Sequence, residues 1–168
     1  MKRFLFISSV ICLSFVLTGC PYDSEVPVDA PTAVKYPAAI LGNWEPKSSS
    51  DDFYKIKRKD DYVIAIIKTK REAKPDDTPE EYFAFMSDVD GVKFLNLYEK
   101  NDEENGTKKF YLYKIEISTS GARITLNPLT ENIDEKFQTS AELKAFIKEN
   151  MKHSFFYDKE EQVFIKAD

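Results

Sequence analysis

Short apolar segments alternate with polar turns through most of the chain after residue 40. This pattern is typical of strands joined in an antiparallel meander. It predicts eight strands, at residues 41–47, 52–58, 62–69, 81–88, 92–98, 109–118, 123–128 and 162–166. Most connections are of hairpin length, and such short links make neighbouring strands antiparallel. The expected fold class is therefore mainly β.

The sixth predicted strand shows the clearest alternation. Tyr111 and Tyr113 share one face with two isoleucines, whereas Lys114 and Glu116 share the other. We expect the tyrosine face to point inward. Because a buried hydroxyl needs a hydrogen-bond partner, we expect both tyrosines to lie toward an open, wet end, where their rings can contact a ligand. Tyr111 and Tyr113 are therefore candidate ligand-binding residues.

One helix is predicted before the last strand. Thr139 and Glu142 have the spacing of a capping box, and apolar residues follow on one face at positions 143, 146, 147 and 151. The segments 62–67 and 82–86 are apolar at both odd and even positions, so both faces of each strand need to be covered. The helix is the candidate cover, docked on the sheet or plugging one end of a barrel.

The N-terminus has the three parts of an export signal. Lys2 and Arg3 precede an apolar run of 13 residues, which is shorter than the roughly 20 that a spanning helix needs. The run is followed by Leu-Thr-Gly and then Cys20, which together resemble the lipobox of bacterial lipoproteins. Residues 1–19 are therefore predicted to be a cleaved signal peptide. The resemblance implies that Cys20 carries the lipid anchor, with acyl chains such as palmitate.

The mature chain would be acidic and without a disulfide. Cys12 leaves with the signal and Cys20 carries lipid, while 22 basic residues face 29 acidic ones, a net charge of −7. This charge disfavours nucleic-acid binding and electrostatic adhesion to anionic lipid. Membrane attachment would depend on the acyl chains at Cys20. With His153 as the single histidine, we expect no zinc site, and we predict no metal or other cofactor.

Residues 20–38 are predicted to be a lipidated cysteine followed by a proline-rich spacer. Half of the eight prolines lie here, at positions 21, 27, 31 and 37. In extended polyproline geometry, at about 3 Å per residue, the segment would reach about 50 Å from the bilayer. A folded N-terminal strand over residues 26–34 is the alternative. The folded domain is expected to span residues 39–168.

Gly42-x-Trp44 opens the first of the eight strands and resembles the start motif of the lipocalin or calycin family. In that family the tryptophan closes the floor of the barrel and packs against a basic side chain. Lys166 or Arg123 would supply the cation here, although the family has arginine where this last strand has lysine. The resemblance implies a lipocalin-like barrel in which Trp44 is a candidate ligand-contacting residue. A core tryptophan in another β-sheet is the alternative.

The chain also resembles a family of small lipoproteins of Bacteroidota. The shared stretches are Tyr-Asp-Ser-x-Val-Pro at residues 22–27 and Phe-x-Thr-Ser-x-Glu-Leu-Lys at residues 137–144. The resemblance implies a lipid-anchored, lipocalin-like domain. Pro21 stands where many lipoproteins of the inner membrane have a retaining aspartate, so we expect the outer membrane and leave the leaflet open.

Catalytic and calcium-binding motifs are incomplete. His153 and Ser154 are adjacent, so their side chains diverge, and no nucleophile-elbow motif is present. Asp88-x-Asp90-Gly begins like a calcium loop but lacks the distal glutamate. We therefore predict that the protein is not an enzyme.

The predicted function is that of a lipid-anchored envelope protein that binds a small apolar ligand or a partner protein. The chain has 13 Phe, 9 Tyr and 1 Trp, which could line a pocket. The alternative is a filled, purely structural β module of an envelope complex, because a small barrel also needs large side chains to fill itself.

The substitution Cys20→Ser should abolish lipidation, because serine offers no thiolate for acyl-glyceryl transfer. The variant should leave the membrane fraction, and metabolic labelling with a fatty-acid analogue should give no signal. Persistent labelling of the variant would show that Cys20 is not the attachment site.

Overall fold

The computed structural model describes residues 22–74 and 76–167, so the predicted signal peptide and Cys20 lie outside the described residues. Its strands are β1 (Asp23–Ser24), β2 (Gly42–Pro46), β3 (Asp52–Arg58), β4 (Val63–Lys70), β5 (Glu80–Val89), β6 (Val92–Glu99), β7 (Phe110–Ile117), β8 (Arg123–Pro128) and β9 (Gln162–Ala167). The α-helices are α1 (Lys100–Asn105) and α2 (Ser140–Asn150), and short 3₁₀ helices span Ala38–Ile40 and Ser154–Phe156. All eight predicted strands are confirmed.

Strands β2 to β9 form a closed antiparallel barrel. Each strand pairs with its neighbour in sequence, and β9 pairs back with β2 so that Lys166 lies opposite Trp44. The predicted fold class, a mainly β meander closed into an eight-stranded, lipocalin-like barrel with one helix before the last strand, is confirmed.

The central strands are buried on both faces, as their apolar sequence predicts. On β5, Ala84 and Met86 belong to a core inside the barrel, whereas Phe85 belongs to a second core outside it. Strand β6 likewise contributes Leu95 to the inner core and Phe94 to the outer one. The barrel therefore needs a cover over the outer face of β5 to β7.

Helix α2 supplies part of this cover. Thr139 Oγ1 accepts a hydrogen bond from the Glu142 backbone at 3.2 Å, and the Glu142 carboxylate accepts one from the Thr139 backbone at 3.1 Å, so the capping box is confirmed. Leu143 and Ile147 are fully buried in the outer core. Each such burial stabilises the fold by about 1.5–3 kcal/mol. The sequence left two positions open for this helix, on the sheet or in one end of the barrel, and the helix packs on the sheet.

Residues 22–38, the N-terminal strap, supply the rest of the cover, and here the predicted extended spacer is wrong. Asp23 pairs with Tyr111 on β7, the Val28 backbone donates to Asn96 Oδ1 at 2.8 Å, and Val34 forms a bridge to β5. Val28 is fully buried. Burial of the apolar side chains between the prolines outweighs the local preference for extended chain, and the alternative strand over 26–34 reduces to the single bridge at Val34.

One connection was predicted incompletely. No helix is predicted between β6 and β7, but this link contains helix α1, which ends where Gly106 adopts a left-handed φ of 71°. Within the described parts of the chain, no helix has both the length and the hydropathy needed to cross a bilayer.

Asn96→Ala should lower the free energy of unfolding by about 1–3 kcal/mol, because it leaves buried polar groups unpaired. The Asn96 amide accepts from Val28 in the strap and donates to Ser87 Oγ at 2.9 Å. Urea denaturation measures the loss. The matched control is Asn127→Ala, at a half-buried position on β8, with an expected change within about 0.5 kcal/mol. Equal effects of the two substitutions would show that Asn96 does not hold the strap.

Candidate ligand-binding cavity

The barrel encloses a cavity of about 440 Å³. This volume lies within the range of roughly 300–1,000 Å³ that is typical of small-molecule sites. Inward-facing side chains from all eight barrel strands contribute to the walls. The apolar members are Ile40, Trp44, Ile56, Ile64, Ile66, Leu95, Leu97, Ile115, Ile124, Leu126 and Phe164.

Trp44 closes one end of the cavity, which we call the floor. It is 1% exposed, and its indole Nε1 donates to the Ile40 carbonyl at 2.8 Å. Lys166 Nζ lies 5.3 Å from the ring centroid and also donates to the Ala39 carbonyl at 2.9 Å. Of the two cations proposed from the sequence, Lys166 therefore stacks on Trp44. Arg123 adjoins the inward-facing Ile124 on β8, so strand alternation directs it outward.

Gly42 is required by the same arrangement. Its φ of +128° is disfavoured for residues with a side chain, and a Cβ there would lie 3.1 Å from Lys166 Cε. The stem of Lys166 thus occupies the space that a larger residue at position 42 would fill. This gives a physical reason for the spacing in Gly42-x-Trp44.

The opposite end, which we call the mouth, is ringed by polar side chains. Lys68, Tyr82, Glu99, Tyr111 and Gln162 line the cavity there. Around this ring, Lys68 forms an ion pair with Glu80 at 3.1 Å, and the Tyr82 hydroxyl donates to the same carboxylate. These two hydrogen bonds lower the pKa of Glu80, whereas burial raises the pKa of Tyr82. The cavity is therefore apolar within and polar at its entrance.

Tyr111 and Tyr113 both line the cavity, so the predicted inward face of β7 is confirmed. Tyr111 is half-buried at the mouth, as expected. Tyr113 lies deeper than predicted, at 8% exposed, and burial raises its pKa to about 12. The reason is that consecutive inward residues of one strand are about 6.6 Å apart along it, so the second tyrosine cannot also lie at the rim.

The hydroxyl of Tyr113 has no hydrogen-bond partner among the described residues. All fully buried side-chain nitrogen and oxygen atoms in this part of the chain are hydrogen-bonded. The Tyr113 hydroxyl is therefore reached by space large enough for water, which the cavity provides. The hydroxyl can therefore donate or accept a hydrogen bond within the cavity.

Sequence reasoning missed Tyr54, which faces Phe164 edge to face with 5.2 Å between the ring centroids. Burial raises its pKa to about 12. Tyr54 lies two residues before the inward Ile56, so strand alternation would have found it once the inward face of β3 was known. With Tyr82, Tyr111 and Tyr113 it gives the cavity four phenol groups.

The residues of the incomplete calcium-binding and catalytic motifs make contacts that support the fold. Asp88 accepts a hydrogen bond from the Gly91 backbone inside the β5–β6 hairpin, and Asp90 forms an ion pair with Lys148 at 3.0 Å. His153 stacks on Phe155 with 5.0 Å between centroids. Among the described residues, no group of three or more potential ligands is arranged to hold a metal ion.

No family model, no curated protein and no solved structure matches the chain.

Trp44→Ala should cost about 3–5 kcal/mol of unfolding free energy, the usual range for deletion of a buried large aromatic side chain. Because Trp44 is the single tryptophan, its fluorescence reports the floor alone. The emission should be blue-shifted and poorly quenched by acrylamide. Free quenching, together with unchanged stability of the variant, would contradict its position at the floor.

Proposed function

We propose that this protein is a lipid-anchored lipoprotein of the bacterial outer membrane whose barrel binds a small apolar ligand. The single observation that carries the proposal is the cavity of about 440 Å³ with apolar walls and a polar mouth. Cavities of this kind, with a few convergent polar groups, are the usual form of a small-molecule site.

The walls favour a guest with an apolar body and one polar group. Apolar surface removed from water contributes roughly 25 cal/mol per Å², so an alkyl chain or a ring system gains from contact with the aliphatic walls. The unpartnered Tyr113 hydroxyl offers one hydrogen bond inside, and Lys68 and Glu99 offer charged groups at the mouth. The guest would enter with its apolar end toward Trp44.

The cavity argues against the alternative of a filled structural module. Such a module would carry side chains large enough to occupy the centre of the barrel. Here the middle of the wall is mostly isoleucine and leucine, whereas the large ring of Trp44 lies at the floor and that of Phe164 lies on the wall. A partner protein would instead have to dock on the outside.

The anchor and the location are proposed from the sequence. The lipobox-like residues before Cys20 support lipidation, and Pro21 supports the outer membrane. The absence of enzymatic activity stays a prediction of the sequence.

The soluble Cys20→Ser form should bind a fluorescent hydrophobic probe with one-to-one stoichiometry and micromolar affinity. Tyr113→Ala should weaken this binding more than it weakens the fold, because the ring borders the cavity. Fluorescence titration and urea denaturation of the same samples measure the two effects. Absence of binding, with Tyr113→Ala unfolding the domain like a core deletion, would favour a packed interior.

A pair of added tryptophans provides the matched control. Leu97→Trp places a larger ring on the cavity wall and should abolish probe binding, whereas Lys57→Trp adds the same ring at an exposed position on β3 and should leave binding unchanged. Equal loss in both variants, or in neither, would place the probe outside the cavity.

A further inference from the structure

The first described residues lie beside the mouth of the barrel. The Tyr22 backbone donates to the carbonyl of Leu129, which directly follows the mouth end of β8. Asp23 pairs with Tyr111 and lines the cavity at its entrance. From there the strap runs over the outside of the barrel to the floor, where Tyr36 and Ile40 belong to the inner core.

A short length of chain joins the proposed lipid attachment site to the mouth side of the barrel. Cys20 precedes Tyr22 by two residues, and two residues of extended chain span at most about 7 Å. Because residues 22–38 are folded onto the barrel, they do not act as a spacer between the anchor and the domain. Asp23 and Ser24 pair with Tyr111 and Phe110 at the mouth-side end of β7, so the first described residues are nearer to the end at which the cavity opens.

We propose that the mouth faces the bilayer that holds the anchor, and that the cavity takes up an acyl chain of a membrane phospholipid directly from it. The proposal rests on the function proposed above and names its ligand class and the route of entry. An acyl chain that passes from bilayer to cavity in this way stays out of bulk water. The strongly apolar body of the guest then favours transfer over release.

A second observation points to the same end. Phe155 is 71% exposed, the largest exposure among the large hydrophobic side chains of the described residues. It borders a surface groove that shares Tyr54 and Phe164 with the cavity and that includes Pro46 and Pro128 at mouth-side ends of strands. Phenylalanine is among the apolar side chains that enter the boundary between headgroups and acyl chains in proteins that bind the membrane surface. Phe155 would contact the headgroup region beside the mouth.

Charge does not drive this orientation. Helix α1, on the mouth side, carries Asp102, Glu103 and Glu104, so anionic lipid would not attract this end. The orientation follows from the short anchor and Phe155, and it should form on uncharged membranes. Vesicles of phosphatidylcholine are therefore the appropriate test surface.

The test uses the lipidated full-length protein on phosphatidylcholine vesicles that contain a headgroup-nitroxide lipid. A fluorophore is attached to Ser49→Cys in the exposed mouth-side loop, or to Thr119→Cys in the exposed floor-side hairpin. A strand of eight residues spans about 25 Å, so the two sites differ strongly in distance from the membrane. We expect strong quenching at position 49 and little at position 119. Equal quenching, or stronger quenching at 119, would overturn the orientation.

Insertion of 20 Gly/Ser residues between Pro21 and Tyr22 is the matched control. Such a linker has an end-to-end distance of about 25 Å, so the asymmetry between the two labels should be lost. Asymmetry that persists with the linker would show that the short anchor does not set the orientation.

Uptake is measured with Trp44, which lies at the floor and is therefore remote from the bilayer. In vesicles of phosphatidylcholine with brominated acyl chains, Trp44 emission should be quenched only if a chain enters the cavity. If Trp44 emission is not quenched although the labels show that the mouth faces the membrane, lipid uptake is overturned.

Probe binding by the soluble Cys20→Ser form is independent of both results. A form that binds probe but shows the wrong orientation overturns this inference alone, whereas absence of probe binding overturns the proposed function.

Discussion

Strand β9 must hydrogen-bond to β2 for the sheet to close, and the other features of the structure depend on this pairing. The register sets Lys166 opposite Trp44, so the cation and the indole meet at the floor, and Gly42 leaves room for the lysine stem. Closure also removes the open edges that an eight-stranded sheet would otherwise present to other chains. The remaining interior space is bounded by the inward-facing side chains, which come from every second residue of each strand.

Closure of the barrel leaves the outer face of the sheet uncovered, and the outer core covers it. Strands β5 and β6 are apolar on both faces, so their outer face has to be covered as well. Helix α2 and the N-terminal strap meet over it, where Lys144 forms an ion pair with Asp29 at 2.8 Å and Asn96 holds the Val28 backbone. Because this cover lies on the side of the barrel, neither element blocks the mouth. Burial of the strap also brings the first described residues to the rim of the cavity.

The sequence predicted what local patterns determine. Alternation with period two and short turns located all eight barrel strands, and the capping box at Thr139 located the helix. The strap was missed because its prolines favour extended chain locally, whereas burial of Val28 against β6 depends on a contact 68 residues away. The depth of Tyr113 was also missed, since it depends on the position of the mouth along β7. The cavity itself follows from the combined volumes of side chains on eight strands, which no single segment reveals.

The central claim is that a guest molecule enters the barrel and contacts its inner wall. Methyl-resolved NMR of the soluble Cys20→Ser form, titrated with a short alkyl-chain amphiphile, tests it most directly. Saturable shifts are expected at Ile66, Leu97 and Leu126 inside the barrel, with no comparable change at Leu143 and Ile147 in the outer core. Shifts confined to the outer core, or no shifts at all, would contradict it.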